Sequence, residues 1–310
     1  MQYWALLVDS FRESRDRKIF WLMLVISIMV AGAMLCVGFE PGKVTFLFGM
    51  WEHETSYFTD VTGLKTDLIA GIVVDGIMDT VLGWIGVTLA IIATAGLFPS
   101  WMERGAIDVV VSKPIARWEL FLGRYLGGLA FVLFQATVFV LLTFLVAGVR
   151  WGTWLPGYLL AIPLVVLLFS YLYCVSVSVA VVFRSTVAAI LLTLVVWISF
   201  TGVQTLDDLV TFKYTEWQEQ RSVYRSVHLA RWIVPKTQDM THIAKKWSGA
   251  APVDEFLPEP AEEDRANYEL AARIEAARMA LNPVYTIGSS LLFEVVLLIL
   301  AMWRFSRMDF

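Results

Sequence analysis

The chain has 310 residues, 58% of them hydrophobic and only 17% charged, with a formal net charge of −4 and a mean hydropathy of +0.68. Soluble domains sit near 45–50% apolar and about 25% charged. More apolar side chain is present than a water-facing surface hides, which excludes a soluble enzyme, a disordered tail protein and a secreted disulfide scaffold. The small negative charge supplies no broad basic field and argues against nucleic acid as a partner.

In chain order, residues 1–18 place Trp4, Leu7, Val8 and Phe11 at helical spacing, with Asp9, Arg12 and Glu13 on other faces. This pattern predicts a cytoplasmic amphipathic elbow lying in the membrane interface, or else a frayed extension of the first span. It is not a signal peptide, which would put basic residues before the apolar core. A spanning helix needs about 20 apolar residues. Residues 19–39, 80–98, 125–149, 158–183 and 185–206 meet this without a charge, and 284–303 meets it with Glu294 as its only charge. Six spans are therefore expected. If the N-terminus is cytoplasmic, the inner segments carry eleven Lys and Arg near the spans, and the short outer loops only Lys43, Lys65 and Arg150. By the positive-inside rule both termini, including the tail 304–310, are then cytoplasmic.

The connections divide unequally. Residues 40–79 read as an extracytoplasmic loop with β-prone pieces such as Val44 to Phe48. Residues 207–283 hold ten of the 24 Lys and Arg and 13 of the 28 acids, so they read as a polar, helical extracytoplasmic insert. Helices are expected over 207–232 and 262–281, joined by a Pro-rich linker. Trp217, Tyr224 and Trp232, with Leu209, Phe212 and Val227, form a stripe that reads as a small core or a membrane-surface face. The fold class is an all-α polytopic membrane protein: N-terminal interfacial elbow helix, six transmembrane helices, and a helical insert between spans five and six.

No catalytic pattern emerges. Gly38 to Lys43 imitates a phosphate loop, but its glycine spacing is one residue short and Lys43 is followed by Val44. Such a loop also needs backbone N–H groups curling into a helix. Cys36 and Cys174 lie in apolar runs, and His53, His228 and His242 lack metal-ligand spacing, so no metal or cofactor is expected in this chain. Glu294 must find a hydrogen-bond partner, water or a proton inside the membrane. Gln135, Thr137 and Ser290 are the partners in view, and a place lining a substrate path or subunit interface is the other reading. Gln135 and Gln204 read as interhelical hydrogen-bond donors.

The informative stretch is the inner segment 99–124. Pro99 is expected to end span two, and Ser100 with Glu103 to form a capping box. Pro114 suits the first turn of a second short helix with Ile115, Trp118 and Leu122 on one face. That helix either anchors the loop in the interface or docks into a soluble partner.

These residues carry a resemblance. Glu103 and Gly105, then Ser112, Lys113, Pro114, Ile115 and Arg117, then Gly123-Arg124-Tyr125-Leu126-Gly127, resemble the inner loop of permease subunits of the type-2 ATP-binding-cassette (ABC) exporter family. The Phe11-to-Arg15 elbow and the ending Phe305 to Phe310 are similar too, and the closest subgroup is that of multicopper-enzyme maturation and nitrous-oxide reductase accessory permeases. The resemblance implies a cell-membrane permease that pairs with a second permease, identical or not, and sits in membrane lipid. It also implies two ABC ATPase subunits on other chains, which bind the ATP and Mg²⁺. Glu103, Gly105, Ser112, Lys113, Pro114, Ile115, Arg117 and Trp118 would then couple the spans to those ATPases. A non-transporting scaffold for an extracytoplasmic protein is the alternative. An ion-coupled secondary transporter is disfavoured, because the chain shows one clear intramembrane carboxylate and no repeat.

Overall fold

A computed structural model describes residues 18–40, 43–54, 76–102, 116–213, 221–248, 265–280 and 282–308. The amphipathic elbow expected over 1–18 lies outside the described residues, except for Lys18, which opens the first span. Six helical segments are long and apolar enough to cross a membrane: Lys18–Cys36, Thr80–Ser100, Arg117–Trp151, Pro156–Phe183, Thr186–Phe212 and Pro283–Ser306. We refer to them as spans one to six. The chain is mostly helical, as the hydropathy pattern implies.

Span four is the axis of the bundle. Phe169, Tyr171, Leu172, Tyr173 and Cys174 are fully enclosed in it, whereas spans one, five and six turn apolar side chains such as Met29, Val187, Ile198 and Leu292 outward. In a membrane the hydrocarbon outside is as apolar as the core, so close packing and interhelical hydrogen bonds hold such a bundle together rather than apolar burial. Gly128 in span three is one such close contact. A Cβ there would stand 2.4 Å from Tyr173 Oη, so glycine lets spans three and four meet at that ring. Trp84 stacks on Trp197 at 4.8 Å and joins spans two and five.

Two expectations about helix boundaries change. Pro99 does not end span two. The break falls at Ala95 and Gly96, and Pro99 and Ser100 lie inside the short helix Leu97–Trp101. A proline in a first turn loses no hydrogen bond, because that N–H has no helical partner. Ser100 Oγ donates to Leu97 O at 3.3 Å, and Glu103, its expected capping partner, lies outside the described residues. The helix expected from Pro114 is continuous with span three over its described part, and residues 103–115 lie outside the described residues. Helix begins at Arg117 and runs unbroken to Val146.

The spans leave the bundle with two unlike ends. At the first, which we call the insert end, span one runs into a three-stranded antiparallel sheet: β1 (Val37–Glu40), β2 (Lys43–Phe46) and β3 (Trp51–Glu54), in that order. The Gly38-to-Lys43 stretch that imitates a phosphate loop contributes to β1 and opens β2. Also at this end, among the described residues between spans five and six, are three helices: α1 (Arg221–Ile233), α2 (Thr237–Ser248) and α3 (Arg265–Met279). Span five runs through Asp207 and Asp208 to Phe212, so those two acids belong to its last turns. Helix α2 packs tightly on the start of span four, where a Cβ on Gly157 would meet Trp247 O at 2.4 Å. The second end, which we call the arginine end, gathers the start of span three, the junction of spans four and five, and the end of span six.

Candidate coupling face and intramembrane polar centre

At the arginine end the local chemistry starts with the cap of span three. Ala116 is extended and has no side-chain oxygen, and its N–H is accepted by Glu119 Oε2 at 3.3 Å. That leaves Arg117 at the first helical position, where it reaches across to span six. Its Nη1 donates to Ser306 O at 3.0 Å and Met308 O at 2.9 Å. These carbonyls belong to the end of span six, where helix carbonyls lack partners of their own. Arg124 Nε donates in the same way to Leu97 O at 3.3 Å, tying span three to span two. Phe121 packs between Phe98 and Phe305 at 5.2 and 5.8 Å. The start of span three is thus a junction where spans two and six are both gripped.

Trp118, one residue on, is half exposed. At this end a cleft of about 830 Å³ is lined by Val182, Arg184, Trp303, Arg304, Arg307 and Met308. The Arg307 guanidinium stacks on Trp303 at 4.2 Å. The described terminal turns of spans three, four and six carry Arg117, Arg124, Arg184, Arg304 and Arg307, with Glu119 as the one acid among them. The face is cationic, with two exposed aromatic residues, Trp118 and Trp303. Of the sequence-singled residues, Arg117 and Trp118 are therefore brought together here. Glu103, Gly105, Ser112, Lys113, Pro114 and Ile115 lie outside the described residues.

Inside the bundle, Glu294 is buried and satisfied. Tyr125 Oη donates to its Oε1 at 2.6 Å and Ser170 Oγ to its Oε2 at 2.8 Å. The node joins spans three, four and six. Tyr125 also stacks on Tyr173 at 5.0 Å, and Tyr173 on Phe169 at 5.0 Å. The partners considered from sequence serve elsewhere. Gln135 Nε2 donates to Phe20 O at 3.1 Å and holds span one against span three. Thr137 bonds to Leu133 O in its own helix. Ser290 Oγ accepts from the backbone N–H of Lys236 at 3.1 Å. Gln135 also lines a narrow apolar crevice between spans one, two and three, with Met23, Ser27, Leu82 and Val132.

The insert end holds a third polar cluster, one not evident from sequence. Arg231 of α1 donates to Asp207 at 2.7 Å and Asp208 at 2.9 Å, and its Nη2 stands 3.5 Å from Asp239. Arg278 of α3 pairs with Asp208 and donates to Gln238 Oε1 at 2.6 Å. Burial pushes the Asp239 carboxyl above the usual carboxylate range, and Arg231 and Arg278 offset this only in part. Burial alone would lower the Arg231 guanidinium, but Asp239, Asp207 and Asp208 outweigh it and hold it above its ordinary value. Gln204 of span five completes the tether. It donates to Pro235 O at 3.1 Å and Thr237 Oγ1 at 3.2 Å, and accepts from Gln238 N–H at 3.2 Å. The aromatic stripe expected here divides: Trp232 packs edge-on against Tyr285, and Tyr224 stacks on His228. The sequence signal for this cluster was the Asp207-Asp208 pair at the end of an apolar run, which needs cations that only the fold supplies.

Among the described residues, no group of three or more His, Cys, Asp or Glu is arranged to hold a metal ion. The family model described as ABC-2 family transporter protein matches residues 4–310. No curated protein matches the chain significantly.

Proposed function

The chain belongs to the ABC-2 family of transporter proteins, and from that premise we propose that it is the permease subunit of an ABC exporter in the cell membrane, working as one of a pair. Its family is a membrane component that partners ABC ATPase subunits. In our reading two such subunits dock on the arginine end, which is then cytoplasmic, as the gathering of basic residues there favours. The carrying observation is the match across nearly the whole chain, together with the cationic face at which Arg117 links span three to the end of span six. The coupling segment runs from Glu103 to Trp118. ATP and Mg²⁺ belong to the partner subunits, and closure of those subunits would favour one of two arrangements of the spans.

A docked loop couples only if its contacts differ between the two states. Arg117 suits this, because a push on the start of span three reaches span six through two hydrogen bonds and spans four and six through the Tyr125–Glu294–Ser170 node. The subgroup of multicopper-enzyme maturation permeases remains the nearest resemblance of the loop residues. The test is purification of the tagged chain from native membranes in mild detergent, followed by mass spectrometry. An ABC ATPase in near-equal amount, lost on Trp118→Asp, is the expected result. An extracytoplasmic protein in its place, with no ATPase, would instead establish a scaffold.

A further inference from the structure

The β-sheet at the insert end carries an apolar tip that neither the sequence motifs nor the permease reading explains. Phe46, Leu47, Phe48, Met50 and Trp51 are 42, 48, 72, 79 and 73% exposed. Single exposed apolar residues are ordinary, but five within six positions form a patch that needs a partner. The backbone is also shaped to present it. Leu47 and Phe48 both adopt left-handed conformations, with φ of 50° and 59°, which large side chains seldom adopt unless surroundings hold them there.

The strand register shows where this tip lies. β1 leaves span one at Val37, and Val37 pairs with Phe46 of β2, which pairs with Trp51 of β3. The other ends of the strands pair Glu40 with Lys43 and Lys43 with Glu54. The sheet therefore turns back on itself. Its charged edge points away from the end of span one, and its apolar turn returns to the level where span one stops. Span three marks the same level. Trp151 Nε1 donates to Val37 O at 2.9 Å, and Arg150 Nε donates to Leu35 O at 3.3 Å. The Arg150 guanidinium also lies 5.9 Å from the centre of the Phe48 ring. Two independent contacts thus put the tip at the height of the last residues of two spans.

That height is where Trp, Phe and Arg are at home in a bilayer: rings sit at the headgroup level and a guanidinium stays at the wet edge. Span one also turns apolar side chains outward towards its end, where Met29 and Leu35 are exposed. We propose that the β2–β3 turn, with Phe46 to Trp51, is a membrane-binding element that inserts into the lipid interface at the insert end. The lipid surface is its partner, and the Lys43–Glu52 pair on the sheet stays in water. The proposal rests on the six-span membrane reading and not on the ATPase partnership.

The test uses the full chain with Cys36→Ala and Cys174→Ala, reconstituted in phosphatidylcholine vesicles. A nitroxide is attached in turn at Phe48→Cys, at Lys43→Cys and, within span five, at Leu191→Cys. At position 48 collision with oxygen is expected to exceed collision with a water-soluble nickel chelate, as at position 191, and the ratio to invert at position 43. Equal behaviour at 48 and 43 overturns the proposal. So does a label at 48 shielded from both reagents and broadened by a second spin, which would mean that another copy covers the turn. Loss of the lipid signature at position 191 would instead strike the membrane reading itself. A photoactivatable phosphatidylcholine used on the unmodified chain gives a second measurement: adducts on Phe46 to Trp51 are expected, and their absence beside adducts on span five overturns the proposal.

Discussion

Tyr125→Phe tests the intramembrane node directly. The phenol hydroxyl is 2.6 Å from Glu294 Oε1 and the ring is otherwise stacked on Tyr173, so removing one oxygen leaves packing intact and takes away one donor. A hydrogen bond to a charged group contributes about 1.5–3 kcal/mol in soluble proteins, and interhelical hydrogen bonds in membranes average nearer 0.6 with a maximum of about 1.7 kcal/mol. A loss of about 1–2 kcal/mol is expected. Glu294→Leu removes the acceptor with similar volume. In that background Tyr125→Phe should cost less, because only the 3.2 Å bond from the hydroxyl to Ser170 O is left to lose. Reversible unfolding of the four variants in mixed micelles measures the cycle, with an expected coupling of about 1 kcal/mol or more. Equal costs of Tyr125→Phe in both backgrounds would refute the reasoning, and Tyr125 would then matter only through its ring.

Three further outcomes follow from single contacts. Gly128→Ala forces a methyl against Tyr173 Oη and is expected to cost about 1–3 kcal/mol by overpacking, read as a lower melting temperature in detergent. Gln204→Ala removes three hydrogen bonds between span five and the segment leading into α2; limited proteolysis is expected to cut the insert sooner while the spans stay protected. Asp239 behaves in the opposite sense. Its folded carboxyl binds a proton more tightly than the unfolded one, so its contribution to stability is full at low pH and is lost as pH rises through its folded value. Asp239→Asn should therefore raise the melting temperature at neutral pH, and the difference should shrink in acid. A melting temperature lowered equally at both pH values would contradict that assignment.

The spans were legible because a helix in hydrocarbon admits few charges, and charge-free runs mark it almost by themselves. Their ends were less so. Arg117, Glu119 and Arg124 suggest that span three starts after them, yet the helix begins at Arg117, whose guanidinium is occupied by the end carbonyls of span six. Asp207 and Asp208 suggest that span five stops before them, yet Arg231 and Arg278 neutralise both and the helix continues to Phe212. Both cases turn on partners distant in the chain, which no local pattern reveals. Glu294 was visible as a lone charge, but Tyr125 and Ser170 lie 169 and 124 residues away in sequence. Helix α2 was the least legible element. Its apolar residues Met240, Ile243, Ala244 and Trp247 do stand at helical spacing, the first three buried, but they are one short stripe in a polar stretch with no charge-free run to mark it.

The central claim is that a separate ATPase engages the arginine end beside Trp118. The direct measurement replaces Trp118 with a benzophenone amino acid, irradiates intact membranes and identifies what becomes linked to the chain. The account predicts an adduct with an ABC ATPase subunit, absent when the same probe replaces Trp232 at the insert end. Adducts to lipid alone from position 118, or an ATPase adduct from position 232, would contradict it.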